Sequence, residues 1–374
     1  MAETEKKAGL TFGRYQVVSE LGRGSMGVVY KARDPVIGRM VAVKSIPETF
    51  ALEPGKREEF IRRLRQEATT AGRLQHPHIV TIFDVGESEA GPYIAMEFLD
   101  GVTLREVVAA RKTLSLRQLH EVVRQVGEGL DYAHAKAVIH RDIKPANLMI
   151  VQGNLVKIMD LGIARIPFSD LTKEGKLVGS PSYMSPEQLQ GQKIDGRSDL
   201  FSLGVTIYQC MTLKKPFPGE NINEICMKIV HGPFTPPTEL RRDLPKGFDR
   251  FMETALAKDP DLRFQNGAEM VGSLEKLLAD RGERSETTAS ESVSEGVPPR
   301  PPAPEEVEVT SNPNLMPTSE IEDIFRDLTS SHRLLDLRGQ RAGGSQDLGW
   351  LIWVILAVAV GLLLAVVLLW KSGG

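Results

Sequence analysis

His140-Arg141-Asp142-Ile143-Lys144-Pro145-Ala146-Asn147, followed thirteen residues later by Asp160-Leu161-Gly162, is the stretch on which the fold turns. An Asp, a Lys two residues on and an Asn five residues on converge only where the backbone folds sharply, and Pro145 favours such a loop. Asp142 could then orient a hydroxyl and accept its proton, Lys144 could neutralise a moving phosphoryl group, and Asn147 could ligate a metal. Asp160 closes the apolar strand Val156–Met159 and precedes a glycine, a setting that suits an Mg²⁺ ligand. Any one of these residues reads equally well as a turn or cap residue. The ordered series is what carries chemistry.

Upstream lies Gly22-Arg23-Gly24-Ser25-Met26-Gly27-Val28-Val29. Glycines at these spacings let a turn bring backbone N–H groups close to phosphates. A dinucleotide fingerprint would need a helix directly afterwards, but Val28-Val29-Tyr30 continue as a strand. Val41-Ala42-Val43-Lys44 then places a lysine at the end of an apolar strand, well placed to hold phosphate oxygens. Glu67 is the candidate to position it, in preference to Glu58 and Glu59, because it shares a helical face with Leu64, Ala68 and Ala71. Val17, Val28, Val29, Val41 and Val43 mark a β-rich front, broken by turns such as Arg33-Asp34-Pro35. Helical periodicity follows over Glu58–Leu74, Leu116–Ala135 and Ser202–Met211. This pattern predicts an α+β protein of two unequal lobes.

Residues 13–281 resemble a protein kinase of the Ser/Thr type, in the style of bacterial membrane-associated (Hanks-type) kinases. The glycine loop, Val41–Lys44, His140–Asn147 and Asp160-Leu161-Gly162 carry the likeness. So do Gly179-Ser180-Pro181-Ser182-Tyr183-Met184-Ser185-Pro186-Glu187, Ser198-Asp199 with Ser202-Leu203-Gly204, and Lys258-Asp259-Pro260 with Arg263-Phe264. The resemblance implies the bilobal kinase fold, with a β-rich N-lobe and a helical C-lobe, and ATP with Mg²⁺ (or Mn²⁺) as cofactors. It implies that Lys44 pairs with Glu67 and the phosphates, that Asp142 is the catalytic base beside Lys144, and that Asn147 and Asp160 hold the metal. ATP would lie against Leu21, Gly22, Arg23, Gly24, Ser25, Met26, Gly27, Val28, Val29, Ala42, Glu97, Leu99 and Met149, with Met96 guarding the back pocket. Glu187 and Arg263 would form a buried structural pair, and His140 would be structural. Arg141 implies control by activation-loop phosphorylation, with Thr172 and Ser169 as candidate sites and transient homodimers for trans-autophosphorylation. Leu161, Ser180 and Ser185 depart from the family's usual Phe, Thr and Ala without removing a required group. A nucleotide-binding pseudokinase scaffold is the alternative.

The chain has 374 residues, 25% charged and 41% hydrophobic, with a net charge of −3. This excludes a collagen, a disulfide scaffold and wholesale disorder, and gives no reason to expect nucleic-acid binding. Cys210 and Cys226 lack metal-ligand spacing and read as small buried hydrophobes in a reducing compartment. Met1 to Gly9 is polar, with no apolar h-region behind the lysines, and does not read as a signal peptide. The average conceals a cancellation: from Gly282 to Ser330, eleven acidic residues against three arginines leave −8, so the remainder carries +5. Residues 282–347 read as an acidic Pro/Ser-rich disordered linker. Within it, Ser319 and Glu322 begin a capping-box pattern for a short helix at 318–329, placing Ile321, Ile324, Phe325 and Leu328 on one stripe. Residues 348–370 read as a transmembrane helix: Trp350 to Trp370 contains no charge, and all three tryptophans stand near its ends. Arg333, Arg338 and Arg341 before it, against Lys371 after it, predict a kinase on the cytoplasmic face of the cell membrane, with lipid as partner and Ser/Thr-bearing proteins as substrates.

Overall fold

The first hundred residues are organised by the period-two alternation of β-strands, which decides which side chains face the site. The computed structural model describes residues 9–24, 27–46, 54–151, 154–161 and 181–290. Strands β1 (Thr11–Phe12), β2 (Tyr15–Gly24), β3 (Gly27–Arg33), β4 (Met40–Ser45), β5 (Ile82–Ser88) and β6 (Gly91–Glu97) form one antiparallel sheet. Its order is β1-β2-β3-β4-β6-β5. The β3–β4 corner is built on Asp34, fully buried, whose carboxylate accepts from Val36 N at 3.1 Å and Arg14 Nε at 3.2 Å. On one face Phe12, Tyr15, Tyr30, Val41, Val43 and Tyr93 pack together. On the other, Ala42, Ile94 and Met96 pack with Ile46, Val80 and Leu64, the last from helix α1 (Pro54–Ala71). Leu64, Ala68 and Ala71 are all buried, so the expected apolar stripe of that helix does face the sheet. Burying a leucine there stabilises the lobe by roughly 1.5–3 kcal/mol.

The chain leaves this lobe after Glu97 and enters a second sheet of β7 (Gly101–Thr103), β8 (Leu148–Val151) and β9 (Leu155–Ile158). Around it lie helices α2 (Leu104–Ala109), α3 (Leu116–Ala135), α4 (Pro186–Leu189), α5 (Gly196–Thr212), α6 (Ile222–His231), α7 (Pro237–Leu240), α8 (Gly247–Ala255) and α9 (Gly267–Ser290). The β-rich lobe followed by a helical lobe fits the predicted bilobal α+β fold. Helix α3 keeps the predicted bounds because Ser115 and Gln118 form a reciprocal capping box at its start. Helix α5 begins six residues before the predicted Ser202, capped by Asp195. It is buried on nearly all sides from Ser198 to Tyr208, so the two-faced pattern that betrays a surface helix is missing. Helices α3 and α9 approach backbone to backbone: a Cβ on Gly267 would lie 2.6 Å from Gly127 Cα. Asp131 of α3 caps the incoming helix, accepting from Gly267 N at 2.7 Å and Ala268 N at 3.0 Å.

Helix α9 runs to Ser290, nine residues into the predicted linker. Glu283, Arg284 and Glu286 are good helix formers and no proline intervenes before Pro298, so an already nucleated helix propagates. Cys210 is buried, its thiol pushed up to about 12 by burial, whereas Cys226 is only half-buried. Among the described residues no helix is long and apolar enough to cross a membrane. The predicted remainder of the linker, the helix at 318–329 and the span at 348–370 lie outside them.

Candidate active site

The loop read from His140 to Asn147 converges as its spacing requires. Pro145–Asn147 form a single 3-10 turn. Lys144 Nζ donates to Asp142 Oδ2 at 2.7 Å, and Asn147 Nδ2 donates to the same oxygen at 3.1 Å and to Asp142 O at 2.8 Å. The side-chain nitrogen of Asn147 is thus committed to Asp142, which leaves its carbonyl oxygen as the atom to face a cation. Met159 N donates to Asn147 O at 2.8 Å and ties the loop to the residue before Asp160. Asp160 stands in the left-handed region, with φ +54°, just past the end of β9. The carboxylate of Asp160 and the carbonyl of Asn147 are hard oxygen donors, which suit Mg²⁺.

That backbone turn also answers where Lys44 goes. Its ammonium meets Asp160 Oδ1 at 2.8 Å, with the lysine side chain only 13% exposed. The expected Lys44–Glu67 pair is therefore not the one formed, and the correction has a local cause. The left-handed conformation at Asp160 swings its carboxylate beneath the end of β4, making it the nearer anion, while Glu67 stays half-buried on α1 and makes its interactions elsewhere. Burial would raise the Asp160 carboxyl, but the charge and hydrogen bond of Lys44, with His140 and Lys144 behind, hold it below the usual carboxylate range.

The loop is suspended from Asp199, a carboxylate with no solvent exposure in α5. One oxygen accepts from Arg141 N at 2.7 Å, and the other accepts from His140 N and from His134 Nε2, both at 2.8 Å. Arg141 sits at φ +65°, unfavourable for a side chain of its size, and this anchoring holds it there. Gly196 makes room for the arrangement, since a Cβ on it would lie 2.5 Å from the His134 ring. His140 is fully buried and structural: its Nε2 bonds Met159 O at 2.8 Å. Glu187 and Arg263 form the expected buried pair through two hydrogen bonds of 2.8 Å. Burial would raise the Glu187 carboxyl, but Arg263 and Ser198 hold it below its ordinary value.

The predicted nucleotide slot lies where the two sheets meet. The β2–β3 hairpin pairs Arg23 with Val28 and Gly24 with Gly27, and leaves Leu21, Gly22 and Gly24 exposed; Ser25 and Met26 lie outside the described residues. Val29, Ala42, Met96 and Leu99 belong to one apolar group at the slot. Val28 does not join them. Alternation turns it to the opposite face, against Phe12 and Tyr30. Met149 lies by Gly101, where a Cβ would meet its Cγ at 3.0 Å and Ile150 O at 2.3 Å. A small cavity behind Lys44 and Asp160 is lined by Val80, Ile82, Ile94, Met96 and Leu161. Glu97 reaches back across the lobes: Lys157 Nζ donates to its Oε2 at 2.8 Å, and Thr81 N to the same oxygen at 3.3 Å. Sequence reasoning missed this pin and the anchoring role of Asp199. An apolar strand interrupted by one lysine, Val156-Lys157-Ile158, was the available signal for the first. Ser169 and Thr172 lie outside the described residues.

Residues 15–273 match the protein kinase domain family. Serine/threonine-protein kinase PknB of Mycolicibacterium smegmatis is 39% identical over 268 residues, covering 70% of this chain and 42% of that protein. A probable serine/threonine-protein kinase of Streptomyces coelicolor is 39% identical over 274 residues (71% and 40%), and one of Clostridium acetobutylicum 34% identical over 265 residues (71% and 40%). The chain thus spans about two fifths of the length of these curated relatives. With the lysine, two aspartates and asparagine brought together between a β-rich and a helical lobe, the chain belongs to the protein kinase family.

Proposed function

We propose that this protein transfers the γ-phosphoryl group of ATP to serine or threonine hydroxyls of proteins. The observation that carries the reading is the convergence of Asp142, Lys144 and Asn147 in one loop tied to Asp160 and, through it, to Lys44. In this reading Asp142 orients the acceptor hydroxyl and takes its proton, and Lys144 balances charge on the moving phosphoryl group. Asn147 and Asp160 hold Mg²⁺, which when bound neutralises phosphate charge. Lys44 is drawn by the phosphates, and the apolar group of Val29, Ala42, Met96 and Leu99 encloses the adenine. Asp160, held ionised by its cationic neighbours, meets the requirement of a metal ligand at neutral pH. The similarity to bacterial serine/threonine-protein kinases supports the choice of acceptor.

Activation follows by autophosphorylation at Thr172 or Ser169, in transient pairs of the chain, with Arg141 receiving the phosphate. The charge-free segment 348–370 anchors the protein in the cell membrane with the kinase on the cytoplasmic side. Such tethering raises the local concentration of the kinase towards membrane-bound substrates and towards itself. Incubation of the full chain with ATP and Mg²⁺, followed by mass spectrometry, tests the activity. Phosphate should appear on Ser or Thr of a general protein acceptor and on Thr172 or Ser169. An acceptor left unlabelled under all conditions contradicts the reading. Deletion of 348–370 should move the protein from the membrane to the soluble fraction.

A further inference from the structure

Helix α5 ends in a left-handed residue, Leu213 at φ +58°, and the turn sends Lys214 into solvent while Lys215 folds back over the segment Pro181–Tyr183. Lys215 Nζ donates to Ser182 Oγ at 3.0 Å and stands 5.6 Å from the centroid of the Tyr183 ring. Two neutral hydrogen bonds hold this corner: Tyr183 OH donates to Gln209 Oε1 at 2.6 Å, and Ser202 Oγ to Tyr183 O at 2.7 Å. Among the described residues no carboxylate lies within ion-pair distance of Lys215. Burial lowers the pKa of its ammonium. Among the described residues this half-buried cation meets a hydroxyl and an aromatic face, so a carboxylate brought to it would gain more than one brought to a surface lysine.

The corner stands beside the catalytic loop. Gln188, six residues beyond Ser182 and part of the α4 capping box, donates its Nε2 to Arg141 O at 3.1 Å. Arg141 immediately precedes Asp142. A substrate strand rising about 3.3 Å per residue, with its hydroxyl at Asp142, must lay its flanking residues along elements that border this loop.

We propose that Lys215 is a specificity-determining residue, reading an acidic side chain of the protein substrate a few residues from the phosphorylated Ser or Thr. The inference rests on the kinase reading above. Exposed Lys214 adds to the field that draws such a substrate in.

The test uses the full chain with Mg-ATP and peptides carrying one central Thr, in which Asp, Ala or Lys is placed in turn at each of the four positions on either side. Wild-type protein should show a kcat/KM about 5- to 10-fold higher for the peptide with Asp at one or two of these positions than for its Ala counterpart, the size expected of a partly desolvated ion pair. The advantage should shrink as salt is raised. In Lys215→Met it should fall toward one at those positions, and in Lys215→Glu the preference should pass to the Lys peptide. A charge-reversed preference is something a merely structural role cannot produce, and thermal melts of both variants establish that they are folded. Labelling of the peptides without an acidic preference, or with one that Lys215→Met and Lys215→Glu leave intact, overturns the proposal while leaving the kinase reading standing. Absence of labelling of every peptide and protein by the wild type counts against the kinase reading itself.

Discussion

Replacing Asp199 with Asn keeps the shape of the side chain and removes one acceptor. In the structure each carboxylate oxygen receives a backbone N–H of the catalytic loop, Arg141 on one side and His140 on the other. Whichever way an amide is turned, its NH₂ faces one of these donors. The loss is one charge-assisted hydrogen bond, worth about 1.5–3 kcal/mol, together with a stranded buried N–H costing about 1–3 kcal/mol. Global stability of Asp199→Asn should therefore fall by about 3–5 kcal/mol if the loop cannot relax. Relaxation lessens that cost but releases Arg141 from its left-handed conformation and moves Asp142 with it. A misplacement of about 1 Å costs on the order of 100-fold in rate. The two outcomes trade against each other, so urea denaturation and kcat must be measured on the same preparation. The expected result is a large fall in at least one, with the KM for ATP nearly unchanged because the Val29, Ala42 and Met96 wall is untouched. Stability within about 1 kcal/mol of wild type together with kcat within threefold would refute the anchoring role.

Glu187→Gln should destabilise the protein by about 3–5 kcal/mol, because Arg263 is left charged and buried without its partner. The folded-state pKa of Glu187 lies below its ordinary value of 4.5, so its contribution is complete above that pH and is lost as pH falls through the folded value. Denaturation curves from pH 7 down to pH 3 should show wild type losing stability on that limb and Glu187→Gln losing less. Gly196→Ala should lower stability by roughly 1–2 kcal/mol and reduce kcat, since the His134 ring must leave the place from which it bonds Asp199; an unchanged melting temperature would contradict this. Lys157→Met releases Glu97 at the connection between the lobes and should raise the KM for ATP about fivefold with little change in kcat, measured by steady-state kinetics at saturating protein acceptor.

What could be read from the chain and what could not divide along sequence separation. The His140–Asn147 loop is legible because its partners are two to five residues apart and Pro145 forces the turn. Helix α3 is legible because one face is apolar at helical spacing and Ser115 caps it. The pairing of Lys44 with Asp160 spans 116 residues and depends on a left-handed φ at a residue that is not glycine, which no local pattern announces. The expected partner, Glu67, was chosen from a helical face, and the face was right while the pairing was not. Val28 was assigned to the nucleotide slot with its neighbour Val29, although alternation in a strand must send one of the two to the other side. Asp199 reads as a motif residue, but its hold on His140 and Arg141, 59 and 58 residues away, is visible only once α5 is packed under the loop.

The central claim is that this arrangement transfers phosphate rather than merely holding nucleotide. The direct measurement is incorporation of labelled phosphate from ATP into a protein acceptor by the full chain and by Asp142→Asn, with ATP binding followed in parallel by titration. Phosphotransfer by the wild type, lost at least 1000-fold in Asp142→Asn while ATP affinity stays within a few-fold, is the predicted result. ATP binding without transfer by the wild type, or substantial turnover by Asp142→Asn, would contradict it.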